Sequence, residues 1–248
     1  MKNIYESGKY IKLNPNYHVE DSKFKANNFI KILKKNKISN DEIKTIVDLG
    51  CGSGDIIKFL KKKKFFNTNT KFYGFDINQD AIDLAKDEEA ENLIFSNENF
   101  FENELNGNTD LIICADVYEH VEDYISFLKK MVHAGKFFLF NIPLDISVRS
   151  ILNRKQIPQS YKNFGHVHFF NKNITKLMLR HCDFEIIDTI YAKNFLDHLK
   201  KDSLKRMIYF LPVMLFDMIS EDLSANLFGG YSLVVLAKKK IKKVEEFY

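Results

Sequence analysis

The residues whose types and spacing could do chemistry in this chain fall in three short stretches and one isolated acid. The sharpest stretch is Val47-Asp48-Leu49-Gly50-Cys51-Gly52-Ser53-Gly54-Asp55. Glycines at alternate positions let a backbone turn tightly and approach a ligand with no Cβ in the way. Where such a turn opens a helix, the first N–H groups can face that ligand. The dinucleotide fingerprint is G-x-G-x-x-G, but here the third glycine comes one place early and Asp55 follows it. A carboxylate sits badly beside a pyrophosphate, so the spacing points away from NAD and towards a ligand without phosphates. The isolated acid is Asp76, 22 residues after Gly54. A carboxylate at the end of the next strand accepts hydrogen bonds from ribose hydroxyls. Glycine turn plus Asp76 reads as a site for an adenosine-type ligand.

The second stretch is Asp116-x-x-Glu119-His120. If a helix begins near Asp116, all three side chains share a face. They could hold a divalent metal or orient a base; the plainer alternative is that Glu119 and His120 only shape a ligand pocket. The third is Gly165-His166-Val167-His168-Phe169-Phe170. In an extended segment His166 and His168 point the same way. One could be a base, or both could help a metal. Otherwise the loop packs its two phenylalanines and uses a histidine hydrogen bond to fix itself.

The elements that must position these residues follow from hydrophobic period. Helices are predicted over 21–35, with Asp21 or Ser22 as cap, and over 55–63, 79–88, 121–132 and 173–182. Strands are predicted over 44–49, 71–76, 93–96, 110–115, 136–142, 184–191 and 231–238. The stretch 145–164 reads as irregular, and 195–219 as apolar helix interrupted at Pro212. Alternating strands and helices imply a doubly wound α/β fold, a mostly parallel sheet with helices on both faces.

The run Asp48-Leu-Gly-Cys-Gly-Ser-Gly, then Asp76, then Asp110-Leu-Ile-Ile-Cys-Ala-Asp-Val-Tyr-Glu-His-Val resembles the Rossmann-like, class I S-adenosylmethionine (SAM)-dependent methyltransferases. Glu-His after the fourth strand resembles the ubiquinone-pathway O-methyltransferases, and the spacing is similar to small-RNA 2′-O-methyltransferases in which related residues hold a metal. The resemblance implies a seven-stranded sheet with an antiparallel last strand and SAM as cofactor. It implies Gly50 and Gly52 at the methionine end, with Cys51 between them in the turn, and Asp48 near the amino group. Asp76 would lie on the ribose and Ile77 on adenine. Asn97 stands where the family often has an acid near the adenine amino group, with Glu98 adjacent. Ala115 and Asp116 would flank the methyl-bearing region. Asn14 to Ser22 and the later His-Val-His-Phe-Phe are similar to methyltransferases of surface-polysaccharide gene clusters; such a segment folds as a lid, making Tyr17 and His18 candidate substrate contacts, or is a plain helix cap.

Methyl transfer from a sulfonium is an in-line displacement with a neutral thioether leaving, so alignment is the main task. A hydroxyl acceptor also needs a base, and His120, His166 and His168 are the candidates. The Asp/Asn-Pro-Pro-aromatic grip of DNA amino-methyltransferases is missing at 115–118, and none of the three cysteines follows a proline, as a cytosine C5 enzyme would require. Cys51 is a small filler.

The 248 residues are 45% hydrophobic and 28% charged, which excludes disordered, collagenous and coiled-coil classes. One domain is expected: an N-terminal lid over 1–40, a cofactor half over 44–142, and substrate-side elaborations at 143–170 and 195–228. Net charge is +4, too balanced for a nucleic-acid binder. The lysine runs 61–64 and 238–243 read as solvated. Cys51, Cys114 and Cys182 lack CxxC spacing, so neither disulfide framework nor structural zinc is expected, and a reducing cytoplasm fits. The longest apolar run, 207–216, is shorter than the roughly 20 residues a membrane span needs. The apolar 195–228 insertion packs against its own domain by default, or could cap a substrate, form a homodimer face or lie on a membrane. The expected function is methyl transfer to a small molecule, on a hydroxyl of a sugar, glycan precursor or similar metabolite. The alternatives are methyl transfer to RNA or another macromolecule, or SAM or nucleotide binding without catalysis.

Overall fold

Four consecutive residues of one central strand show why the sheet is buried on both sides. Leu111 and Ile113 belong to one apolar cluster, while Ile112 and Cys114 belong to the other. With a period of two, a strand covered by helices on both faces is apolar at every position. The computed structural model describes residues 19–193 and 204–241.

The strands are β1 (Thr45–Leu49), β2 (Lys71–Phe75), β3 (Leu93–Ser96), β4 (Thr109–Ala115), β5 (Gly135–Pro143), β6 (Phe184–Ala192) and β7 (Ser232–Lys239). They form one sheet in the order β3-β2-β1-β4-β5-β7-β6. The first five pair in parallel, while β7 is antiparallel to both β5 and β6. Strand order reverses at β1, beside β4, so a crevice opens at the carboxyl ends of these strands. The doubly wound α/β fold and the antiparallel last strand are as expected.

The helices are α1 (Val19–Lys35), α2 (Asp55–Lys62), α3 (Gln79–Lys86), α4 (Tyr124–Met131), α5 (Val148–Leu152), α6 (Gln156–Phe164), α7 (Lys172–His181), α8 (Leu204–Ile219) and α9 (Glu221–Phe228). Ala26, Phe29, Ile32 and Leu33 of α1 are fully buried under the sheet. Three readings change. Helix α1 starts at Val19, so Asp21 and Ser22 lie inside it and do not cap it. The supposedly irregular stretch 145–164 holds α5 and α6; a reciprocal bond between Ser147 and Ser150 caps the first, and left-handed Gly165 ends the second. Helix α8 runs through Pro212, because packing of its inner side, including buried Val213, outweighs the roughly 3 kcal/mol of an interior proline.

Candidate active site

The glycine turn joins β1 to α2 at the crevice. Gly50, Gly52 and Gly54 all have positive φ, at 78°, 53° and 77°, a region that L side chains rarely adopt. A Cβ on Gly50 would also lie 2.5 Å from Val117 Cγ2. The N–H groups of Gly50 and Cys51 both donate to the Phe75 carbonyl, at 2.7 and 3.0 Å. This ties the turn to the end of β2. There Asp76 accepts from the Gly52 N–H at 2.8 Å and from the Asn78 N–H at 2.9 Å. Burial raises the Asp76 pKa, and those two N–H groups oppose the rise.

Asp48 is 1% exposed, and neither of its carboxylate oxygens has a hydrogen-bond partner. Burial first and Asp76 second raise its pKa to about 7, with Lys25 opposing. Lys25 comes from α1. Its Nζ lies 2.5 Å from Asp116 Oδ2 and 2.7 Å from Asp21 Oδ2. Burial lowers the lysine pKa, but Asp116 and Asp21 reverse this and leave it raised. Asp116 has φ 54°. Its carboxylate also accepts from Asn141 Nδ2 at 2.7 Å, so lysine and amide hold the unfavourable backbone from both sides. Burial pushes the Asp116 carboxyl up and Lys25 pulls it down, with a lowered net result.

The Asp-x-x-Glu-His stretch is a sharp turn and not the start of a helix. Tyr118–His120 is one turn of 3-10 helix, and α4 begins only at Tyr124, with Asp123 accepting from the Ser126 N–H. Asp116 therefore turns to Lys25, away from the metal set that helical spacing put together. In its place stands His166. Glu119, His120 and His166 offer ligand atoms within 4.8 Å of one another. Two backbone bonds bring the distant segment in: the N–H groups of Val167 and His168 donate to the Glu119 carbonyl at 2.9 and 3.1 Å.

Each ring of this group is held by its Nδ1. His120 Nδ1 is 3.1 Å from the Gly165 carbonyl oxygen. A carbonyl only accepts, so Nδ1 carries the proton and Nε2 the lone pair. Burial is the main cause lowering the His120 pKa to about 4, opposed by Gly165. His166 Nδ1 is 2.8 Å from Asp145 Oδ2, and Ser160 Oγ donates to the other oxygen of Asp145 at 3.2 Å. The Glu119 side chain is fully buried with both oxygens unpartnered. Burial and Asp116 push its carboxyl well above the usual range.

The glycine turn, the ends of β2 and β4, Lys25 and the two histidines border one cleft of about 1000 Å³, at the upper end for ligand pockets, while Asp48 and Glu119 stay buried behind its wall and do not line it. Gly50, Cys51, Gly52, Asp76, Ala115 and Asp116 line it, as do Ile77, His120 and His166. Ile77 is 80% exposed. A second cavity of about 400 Å³ shares Pro143, Phe164, His166 and Ser232 with the first.

Some expected residues lie elsewhere. Asn97 bonds Gln79 and does not line the cleft; Glu98 and Asn99 do. His168 Nε2 donates to the Val121 and Glu122 carbonyls, both at 3.1 Å, and its ring packs on Tyr124. The segment is not a strand, so alternation fails and only His166 enters the cleft. Tyr17 and His18 lie outside the described residues. Sequence reasoning missed Lys25, Asn141 and Asp145. Lys25 had a signal, since it sits within the apolar stripe of α1. Asp145 had none, being 21 residues from its histidine.

The model of a methyltransferase domain family matches residues 22–189. A SAM-dependent methyltransferase of Archaeoglobus fulgidus is 18% identical, with TM-score 0.55 over 90% of this chain and 100% of that one. The magnesium protoporphyrin IX methyltransferase of Synechocystis, solved with bound S-adenosylhomocysteine, is 14% identical, with TM-score 0.54 over 87% of this chain and 81% of that one. Comparison with curated proteins gives no match. At these identities the solved structures speak for the fold. The family model spans more than half of the chain, so the chain belongs to the methyltransferase domain family, the SAM-dependent enzymes that its glycine turn and Asp76 resemble.

Proposed function

We propose that this enzyme transfers the methyl group of SAM to a hydroxyl of a small-molecule acceptor, a sugar, glycan precursor or similar metabolite, with His166 as base. The carrying observation is that His166 stands where the large cleft meets the smaller cavity, its Nδ1 fixed by Asp145.

The cleft suits the cofactor. Asp48 is a buried carboxylate without a partner, which favours a cationic ligand. The left-handed glycines leave backbone open to close approach, and Asp76 keeps acceptor capacity for ribose hydroxyls. Ile77 offers an apolar surface to the adenine, and Glu98 and Asn99 replace Asn97 beside it. SAM supplies a methyl group on a positively charged sulfur. Asp116, fixed by Lys25 and Asn141, shapes the wall between cofactor and acceptor.

The acceptor occupies the smaller cavity, whose size suits a small molecule. His166 Nε2 would take the acceptor hydroxyl's proton as its oxygen gains the methyl group, the sulfur–methyl bond breaking to leave a neutral thioether. Asp145 then stabilises the imidazolium. Replacing His166 by Ala should lower kcat by about 10²-fold or more while leaving SAM binding intact. Activity within about threefold of wild type would remove His166 from the base role.

A second reading is favoured by Glu119. A buried, unpartnered carboxylate beside two histidines, each anchored through Nδ1, is a donor set suited to a divalent cation. Glu119, His120 and His166 would hold it and present it to the acceptor oxygen. Chelator treatment followed by metal re-addition separates the readings: activity indifferent to both supports the base alone.

The cofactor assignment is tested by thermal shift with SAM, S-adenosylhomocysteine and NAD. A ligand at a hundredfold excess over Kd should add about 2.7 kcal/mol, or roughly 5–10 °C. The shift should appear with the first two and vanish in Asp76→Ala. A shift with NAD alone would sink the assignment.

A further inference from the structure

We propose that the outer face of α8, together with α5 and α9, docks on an anionic lipid surface. Between Leu211 and Ile219 the exposed residues are Leu211, Pro212, Met214, Leu215, Met218 and Ile219, and none is polar. The single polar residue of that stretch, Asp217, is turned inward, where Lys193 Nζ lies 2.6 Å away and the Tyr231 hydroxyl donates to it at 2.9 Å. A helix facing water carries its polar residues on the outside. Here the order is inverted, and the side facing outward is the apolar one.

The patch extends beyond one helix. Helix α9 packs against both α8 and α5. Leu223 of α9 is 41% exposed, and Ile151 and Leu152 of α5 are 62% and 77% exposed. Met218 and Ile219 reach 84% and 77%. Clustered exposure of this kind marks an interaction surface.

Charge selects the partner. Exposed Arg154 and Lys155 stand just past the apolar end of α5, after its cap Asn153. The acids nearby are already paired: Asp217 and Glu221 with Lys193, and Asp222 with Lys172. Apolar residues flanked by cations fit the interface of an anionic bilayer. No helix among the described residues is long and apolar enough to cross a membrane, so the contact is peripheral. Val213 and Phe228, on the inner side of the same helices, line the cavity that reaches His166.

The test is vesicle flotation of the full chain, with phosphatidylcholine vesicles and with vesicles also containing phosphatidylglycerol. The protein should float with the second, less so at high salt. Met218→Glu with Ile219→Glu should reduce the bound fraction by about tenfold. Leu177→Glu, at an exposed apolar site on α7, should leave it unchanged. Melting curves check that both variants fold. Equal binding by both variants, or none by wild type, would overturn the proposal. So would light scattering that shows a dimer without lipid that the double variant dissolves, which gives the face to a second copy of the chain.

Discussion

Asp48 is a buried acid to which the fold offers no hydrogen bond. Its pKa rises from an ordinary 3.8 to about 7, so the folded chain binds a proton that the unfolded chain releases. The stability tied to this group is present below about pH 4 and is lost as pH rises towards 7. By about 1.4 kcal/mol for each unit, the loss is on the order of 4 kcal/mol. Asp48→Asn should therefore stabilise the ligand-free protein above pH 7 and flatten its Tm between pH 4 and 7. If Asp48 stabilises the cofactor's positive charge from behind the glycine turn, as proposed, the same variant should also bind SAM more weakly. A variant that melts lower at pH 8 would show that Asp48 is not held at a cost. Lys25 and Asp76 face this acid, and neither bonds it directly.

The turn between β1 and α2 works only with the turn after β4. Gly50→Ala meets both a left-handed backbone, φ 78°, and the Val117 side chain at 2.5 Å. A loss of about 2 kcal/mol is expected in urea unfolding, together with weaker SAM binding. Adding Val117→Ala should recover part of it, since it relieves the contact but not the backbone. No loss in the single variant would mean that the two turns are not locked together. Element boundaries were legible where side chains near in sequence set them, as with the strand Leu93–Ser96. They were missed where a turn intervened. Val121 looked like a helix start, but the 3-10 turn ahead of it and the Asp123 cap delay α4.

Across the whole molecule, α1 is fastened over the cleft by one ion group. Lys25 joins Asp21 on its own helix to Asp116 at the end of β4. Removing one partner of a buried pair typically costs about 3–5 kcal/mol. Lys25→Met should cost that much and speed amide exchange in α1, while Lys25→Arg should keep most of the stability. An unchanged exchange rate would mean that apolar packing, with the Lys35–Asp188 pair at the far end of the helix, holds α1 down without Lys25.

The period of the apolar residues and the glycine spacing determined the alternating fold, the cleft at the end of β1 and the place of Asp76. These depend on residues close in sequence, or on patterns that one strand or helix carries alone. His120 and His166 were candidates by residue type, but how the proposed catalytic residues group together did not follow from pattern. His166 meets His120 across 46 positions, and Asp145 reaches His166 across 21. Local spacing grouped Asp116 with Glu119 and His120. The tertiary structure broke that group, because a lysine from α1 competes for Asp116 and two backbone bonds draw the His166 loop into its place. Pairings across such distances are set by which elements pack together, and no local period records them.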